Sequence, residues 1–248
     1  MKICHTAAII LLLASLCRAD YRSEIIAWEG YLTRAGSEYD PAKLPSFIAT
    51  DHVHHAACAA ALKMVIYNWT GNAAYANEAK VIVQAIMDNN PGVCNFFTVY
   101  PLTFAYVRLN EGGFLNAAFR ADMAQFVNDY FRTAALDDHP DEIHNQHFTR
   151  AAGLLYAAQV WPGSSYASGW NTYARNVWEM FLAFQDIPEN APNYDQICFH
   201  YLWLLGDRFG ETSRLNTPAI HAMFERARNQ VAPSGKTPDY GDSGGATT

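Results

Sequence analysis

The stretch HNQHFTRAAGLLYAAQVWPGSSYASGWNTYARNVWEMFLAF, residues 144–184, decides the fold of this chain. Its first half is apolar nearly all round a helix, which is typical of a helix buried on every side. Its second half carries charges such as Arg175 and Glu179 on one face, as in a helix with one side in solvent. Turn-forming residues 162–165 separate the halves. The stretch therefore predicts a hairpin of one buried and one half-exposed helix.

The same pattern occurs four times along the chain. The units start near Asp51, Asn95, His144 and Asn193, hence 95 − 51 = 44, 144 − 95 = 49 and 193 − 144 = 49 residues apart. A repeat of about 20–50 residues is typical of stacked supersecondary units. No segment with the two-residue alternation of a β-strand interrupts them. The sequence therefore predicts an all-α fold of about four helical hairpins, with the first helices in an inner layer and the second helices in an outer layer.

Polar residues gather at the starts of the predicted inner helices. They are Asp51, His52, His54 and His55; Asn95, Thr98 and Tyr100; His144, Asn145, His147 and Arg150; and Asn193, Tyr194, Asp195 and His200. Inner helices in register point the same way, so these starts lie on one rim, which favours an (α/α) toroid over an open solenoid. Helix N-termini present unpaired N–H groups and partial positive charge, which suit anionic ligands. The rim is therefore the predicted binding edge.

Composition restricts the partners of the chain. It has 248 residues, 50% of them apolar, and a formal net charge of −7. It contains no run of Lys or Arg, which argues against a nucleic-acid partner. An acidic protein repels a polyanion at a distance, so binding one requires a local site such as the rim.

The N-terminus has the pattern of a secretory signal. Lys2 gives a weak basic start, residues 7–16 form an unbroken apolar run, and Cys17-Arg18-Ala19 provides small residues before a cleavage point. The run is too short to span a bilayer, so we expect a secreted protein, extracellular or periplasmic, with no membrane segment after cleavage. Residues 1–19 are then the signal and residues 20–248 one helical domain. The remaining cysteines leave open one disulfide or three thiols: Cys58, Cys94 and Cys198.

Four segments resemble the (α/α)-toroid polysaccharide lyases, the superfamily of chondroitin AC/alginate lyases and heparinase II/III-like enzymes. They are YNWTGNAAYANEA (67–79), HNQHFTRAAGLLYAA (144–158), NYDQICFHYLWLLGDRFG (193–210) and PSGKTPDYGDS (233–243). The resemblance covers roughly residues 20–243. Toroids of this superfamily usually contain more hairpins, so the resemblance implies an incomplete toroid that is C-terminally truncated.

The resemblance also implies a chemistry. Such lyases remove the C5 proton of a uronic acid and expel the 4-O-linked sugar, with no cofactor and no metal. An Asn, with His, neutralises the substrate carboxylate, and a His or Tyr moves the protons. By resemblance, Asn145 is the neutraliser, His147 assists it or acts as base, and Tyr194 is the base or acid, with Tyr201 as the competing tyrosine. The predicted substrate contacts, for an acidic polysaccharide, are His144, Arg150, Asp195, His200 and Tyr240.

Other interpretations of the same residues stay open. Asn145 can be a helix cap, His200 a core histidine and Tyr194 a packing aromatic. The histidine-rich helix starts suit zinc, but no Cys or Glu completes a standard ligand spacing, so no metal is predicted. A toroidal glycoside hydrolase would use two carboxylates, for which Asp195, Asp239 and Asp242 are available. An inactive or glycan-binding fragment is the third alternative.

Overall fold

The computed structural model describes residues 22–32, 41–43, 46, 48, 53–89, 94, 96–132, 145–187 and 192–229. Nine α-helices lie in these ranges: α1 (Arg22–Leu32), α2 (Val53–Thr70), α3 (Ala73–Asn89), α4 (Phe96–Glu111), α5 (Ala117–Tyr130), α6 (Asn145–Val160), α7 (Ala167–Phe184), α8 (Pro192–Phe209) and α9 (Pro218–Asn229). Two 3₁₀ helices, Pro41–Lys43 and Thr212–Leu215, accompany them. No β-strand occurs in the same ranges, so the all-α prediction is confirmed. The predicted signal, residues 1–19, lies outside the described residues.

The helices form the two predicted layers. In the inner layer, α2 packs on α4, α4 on α6, and α6 on α8. In the outer layer, α3 packs on α2, α7 on α6, and α9 on α8. The apolar side of α5 packs into a hydrophobic core that residues of α2, α3 and α4 also form. Four hairpins with inner and outer helices are therefore confirmed, in the arrangement of an incomplete (α/α) toroid.

Burial separates the layers as the sequence pattern predicts. Every side chain of α6 from His147 to Ala158 is buried. In α7, by contrast, only one stripe is buried, at spacings of three or four residues: Ala167, Trp170, Ala174, Val177, Trp178 and Phe181. That stripe is the signature of a helix with one side in solvent.

Glycines with a positive φ follow three of the inner helices, α2, α4 and α8. Gly113 follows α4 with φ +77°, and Gly210 follows α8 with φ +70°. Glycine is the residue that adopts this left-handed conformation without steric cost, and it is the common residue after a helix C-terminus. The sequence Asn110-Glu111-Gly112-Gly113 predicts a turn after α4, and the chain turns there at Gly112 and Gly113.

The inner helices α4 and α6 pack unusually closely at Gly153. A Cβ atom at position 153 would lie 2.9 Å from Cβ of Val99 and 3.0 Å from the backbone nitrogen of Tyr100. Non-bonded carbon atoms prefer separations of about 3.5–4.0 Å, so no larger residue fits there without movement. Gly153 therefore sets the distance between the two helices and the position of Tyr100.

A buried ion pair attaches α1 to α2. Lys63 Nζ donates hydrogen bonds to Glu29 Oε1 at 2.6 Å and to Glu78 Oε2 at 2.5 Å. The side chains of Lys63 and Glu29 are only 4% and 7% exposed. Burial lowers the pKa of Lys63, but the two carboxylates outweigh burial and raise its pKa overall. Lys63 is therefore charged inside the fold, and it depends on Glu29 for compensation.

Two hydrophobic cores meet at α6. The first core contains Leu154 and Ala157 of α6 together with residues of α2 to α5, and the second contains Phe148, Ala151 and Leu155 together with residues of α7 to α9. The cysteines belong to this packing: Cys94 and Cys198 are buried, Cys58 is half-buried, and all three are thiols. Among the described residues, α6 contributes buried side chains to both cores, and α7 does so too through Trp170 and Trp178.

Candidate functional site

The structure describes part of the predicted site. Asn145, His147 and Arg150 lie in the first two turns of α6, and His200 lies in the middle of α8. Tyr194 and Asp195 are in the first turn of α8, but their side chains lie outside the described residues, as do His144 and Tyr240 entirely. The catalytic roles of Asn145, His147 and Tyr194 stay predictions.

Asn145 and His147 lie on different sides of α6. Residues two apart in an α-helix are separated by about 200° around its axis. Asn145 is eleven residues, close to three turns, before Tyr156 and therefore shares its side of the helix, whereas His147 shares the side of Arg150, three residues later. Asn145 is 6% exposed and His147 is 2% exposed. The structure thus does not bring the predicted Asn–His pair together on one face.

Arg150 lies between the two helix layers. Its Nη1 donates a hydrogen bond to the hydroxyl of Tyr173 at 3.3 Å, and Tyr173 belongs to the outer helix α7. Its guanidinium carbon is also 5.3 Å from the centre of the Phe96 ring, at the start of α4. These contacts connect an inner helix to an outer one, which is a packing role, and they point away from the side that carries Asn145.

Three tyrosines from three inner helices converge on one another. The ring of Tyr100 on α4 lies 5.5 Å from the ring of Tyr156 on α6 and 5.8 Å from that of Tyr201 on α8, measured between centroids. The guanidinium carbon of Arg208, in the last turn of α8, lies 3.4 Å from the centre of the Tyr156 ring and 6.0 Å from that of Tyr100. These four residues form a tyrosine–arginine cluster, and the side of the inner helices that carries it is the inner face.

Helix geometry places further residues on the inner face. Tyr201 is seven residues, about two turns, before Arg208, and position 194 is seven residues before Tyr201, so all three positions lie on one side of α8. Asn145 also lies on the inner face, because it is on the side of α6 that carries Tyr156. The inner face therefore carries one predicted catalytic residue of α6 and both competing tyrosine positions of α8.

The hydroxyls of Tyr100 and Tyr156 are protonated at neutral pH. Burial raises the pKa of Tyr100 and of Tyr156 above the usual 10.0, and the nearby positive charge of Arg208 offsets only part of that effect. A protonated phenol can donate a hydrogen bond or a proton but is a poor base. Tyr100 is half-buried while Tyr156 is buried, so Tyr100 is the more accessible donor.

A second arginine lies beside the cluster. Arg108, near the end of α4, donates from Nη1 to Glu111 Oε2 at 2.8 Å. Its positive charge lowers the pKa of both Tyr100 and Tyr156, to a smaller extent than burial raises it. The charge of Arg108 therefore reaches both hydroxyls, and two guanidinium groups act on this end of the inner face.

His200 is a neutral histidine beside Tyr201. Its ring centroid lies 5.2 Å from that of Tyr201. Burial lowers the pKa of His200 from the usual 6.5 to about 4. His200 is therefore uncharged at neutral pH, and it is half-buried next to the inner face rather than deep in the core.

The lowered pKa of His200 predicts a pH-dependent stability. The unfolded chain binds this proton near pH 6.5 and the folded chain near pH 4, so acid favours unfolding within that window. We expect the difference in unfolding free energy between the wild type and His200→Gln to be constant above pH 7 and to shift by up to roughly 3 kcal/mol as the pH falls to 4. Urea denaturation at each pH measures it. The exposed His221→Gln is the control, and parallel profiles for the wild type and His200→Gln would contradict the assignment.

Two members of the tyrosine–arginine cluster are absent from the sequence-based site. Tyr156 and Arg208 lie toward the ends of their helices, far from the predicted rim. In the sequence, the cluster is indicated by residues with a polar group at the end of the side chain on otherwise apolar helices. Tyr201 and Arg208 are seven residues apart on α8, and Tyr100 and Arg108 are eight residues apart on α4. Such a spacing marks one side of a helix from end to end.

The histidines at the start of α2 pack against aromatic rings. The rings of His54 and His55 are buried and lie 4.2 Å apart, and the His54 ring is 6.0 Å from that of Phe97. Among the described residues, no group of three or more His, Cys, Asp or Glu side chains could hold a metal ion.

None of the helices in the described ranges combines the length and the apolar character that crossing a membrane requires. Comparison with known proteins adds no relative: no family model, no curated protein and no solved structure matches this chain.

Proposed function

We propose that this chain binds an acidic polysaccharide on its inner face and cleaves it by β-elimination at a uronic acid residue. The observation that carries the proposal is that Asn145 lies on the same side of α6 as Tyr156, whose ring packs with Tyr100, itself in contact with Tyr201. A carboxamide and tyrosine side chains on one largely buried face are the groups that this reaction uses.

In the proposed reaction, Asn145 stabilises the carbanion-like state. The C5 proton of a uronate is poorly acidic while the adjacent carboxylate is ionised. A hydrogen bond from the Asn145 amide to that carboxylate favours the negative charge that develops as the proton leaves. Because Asn145 is 6% exposed, this hydrogen bond forms in a low-dielectric environment, where it is stronger than in water.

The proposed proton transfers use tyrosines of the inner face. Tyr201 or Tyr194, on one side of α8, takes the C5 proton in its ionised form; the C4–O4 bond breaks as the C4=C5 double bond forms; and the phenol formed in the first step protonates the leaving oxygen. His147 and Arg150 have no part in the proposal, since they lie on another side of α6.

The test is the appearance of an unsaturated uronate, which absorbs ultraviolet light. The full chain is incubated with alginate, glucuronan, chondroitin sulfate and heparin, and the absorbance is followed. We expect product on at least one of them, and we expect Asn145→Ala to lower the rate about 10²-fold or more, the size of effect seen when one oxyanion-stabilising donor is removed. Tyr194→Phe and Tyr201→Phe then show which tyrosine takes the proton.

Matched controls lie on the outer layer. Asn77→Ala removes an exposed carboxamide from α3, and Tyr166→Phe removes a hydroxyl just before α7, both away from the inner face. Neither is expected to change the rate. Absence of the unsaturated product on all four glycans would contradict the proposal, and release of reducing sugar without it would indicate a hydrolase instead.

A further inference from the structure

We infer that Arg208 and Arg108, beside the tyrosine hydroxyls, form a binding subsite for the sulfate or carboxylate group of an acidic sugar, at the C-terminal end of the inner helices. The inference rests on the proposed function in so far as both place the glycan on the inner face. It goes beyond it because the subsite lies at the opposite end of the inner helices from Asn145 and neither arginine is among the predicted site residues.

Arg208 is held rigidly in place. Its guanidinium lies 3.4 Å from the centre of the Tyr156 ring, and Nη1 donates to Gln159 Oε1 at 2.8 Å. The side-chain amide of Gln159 in turn donates to the Arg208 carbonyl oxygen at 3.4 Å. A guanidinium fixed in this way loses little conformational freedom on binding, which favours recognition of a planar or tetrahedral anion.

The charge of Arg208 has no carboxylate partner among the described residues. Its side-chain acceptors there are neutral, namely the amide of Gln159 and the hydroxyls of Tyr100 and Tyr156, and its Nε atom is buried without a hydrogen-bond partner in the same part of the chain. A guanidinium has five N–H donors, so these three neutral acceptors do not occupy all of them and do not compensate its charge. Ion pairs elsewhere show the contrast: Arg175 and Arg214 both bind carboxylates of the outer layer.

Arg108 adds a second positive charge that a ligand can recruit. Its only carboxylate partner among the described residues is Glu111, and both side chains are well exposed, at 40% and 56%. An exposed pair of this kind contributes little stability, so Arg108 can turn to an anion at small cost. The positive charges of Arg208 and Arg108 both act on the Tyr100 and Tyr156 hydroxyls, in a chain of formal charge −7. A local positive site is what an acidic protein requires to hold a polyanion.

The experiment measures binding by titration calorimetry with three hexasaccharides. A heparin hexasaccharide carries sulfates and carboxylates, an alginate hexasaccharide carries carboxylates only, and maltohexaose is neutral. We expect the wild type to bind at least one acidic probe and not maltohexaose, with an affinity that falls as salt rises. Arg208→Gln and Arg108→Gln should each weaken that binding about tenfold, the size of one charge-assisted contact. Loss for heparin alone assigns the subsite to sulfate, and loss for alginate as well assigns it to carboxylate.

Matched variants keep the test decisive. Arg132→Gln removes an exposed charge just after α5 and should bind like the wild type. Arg208→Lys keeps the charge but not the planar fork, and should lose affinity as well. Arg108 is exposed, so Arg108→Gln carries the test if Arg208→Gln does not fold. Unchanged binding in folded Arg208→Gln and Arg108→Gln, or equal loss in Arg132→Gln, would overturn the inference. Intact binding of acidic probes without elimination would overturn the proposed reaction instead.

Discussion

Replacing Gly153 with valine is expected to destabilise the protein by about 2–4 kcal/mol, because the two central inner helices would have to separate. The new Cβ would meet Val99 Cβ at 2.9 Å and the Tyr100 backbone at 3.0 Å, and backbone cannot rotate aside as a side chain can. Gly153→Ala has the same Cβ clash but gains about 1 kcal/mol of helix propensity, so its loss should be smaller. Chemical denaturation of both variants measures the difference.

Gly169 provides the control for this prediction. It lies in the first turn of α7, and a Cβ built there would meet nothing within 4 Å. Gly169→Ala should therefore stabilise the protein by roughly 0.5–1 kcal/mol. If Gly153→Ala stabilised the protein as much as Gly169→Ala does, α4 and α6 would not be as close as described.

Replacing Lys63 with methionine is expected to cost about 3–5 kcal/mol, since it removes the Lys63 charge from beside the buried Glu29 carboxylate. Glu29 is 5% exposed and its Oε1 accepts from Lys63 at 2.6 Å. Glu78, the other partner, is mostly exposed and can turn to water. The measurement is again the free energy of unfolding, at neutral pH.

The double variant separates charge from packing. Lys63→Met combined with Glu29→Leu removes both buried charges, and replacing a buried ion pair by apolar residues is often neutral or stabilising. We expect it to recover most of the loss of Lys63→Met. A double variant as unstable as the sum of both single variants would show that shape at this position, rather than uncompensated charge, determines the effect.

The layered fold could be predicted because the relevant signal is local and repeated. In each hairpin the first helix is apolar nearly all round and the second has one polar side, as in α6 and α7. The polar side must face solvent, so the second helices belong to the outer layer. The predicted turns contain the residues that such turns require, including Gly113 with its positive φ. Four copies of one pattern leave few other ways of stacking the helices.

The site could be predicted only in part, because it depends on helix rotation and on contacts between helices. Proximity in sequence suggested Asn145 and His147 as a pair, yet two residues of separation place them on different sides of α6. Contacts across three helices determine which aromatic residues meet, and they bring Tyr100 to Tyr201 past an intervening helix. The stacking of Arg208 on Tyr156 likewise depends on where two separate helices end.

The sharing of α6 between the two hydrophobic cores has a consequence for cooperativity. In a simple solenoid each hairpin touches only its neighbours, and one end can open while the other stays folded. Here, opening either core exposes one side of α6, because Leu154 faces the first and Leu155 the second. The two halves are therefore coupled into one unfolding unit through this helix. Asn145 and Tyr156 belong to that helix, so the geometry proposed for the chemistry is carried by a helix that packs into both cores.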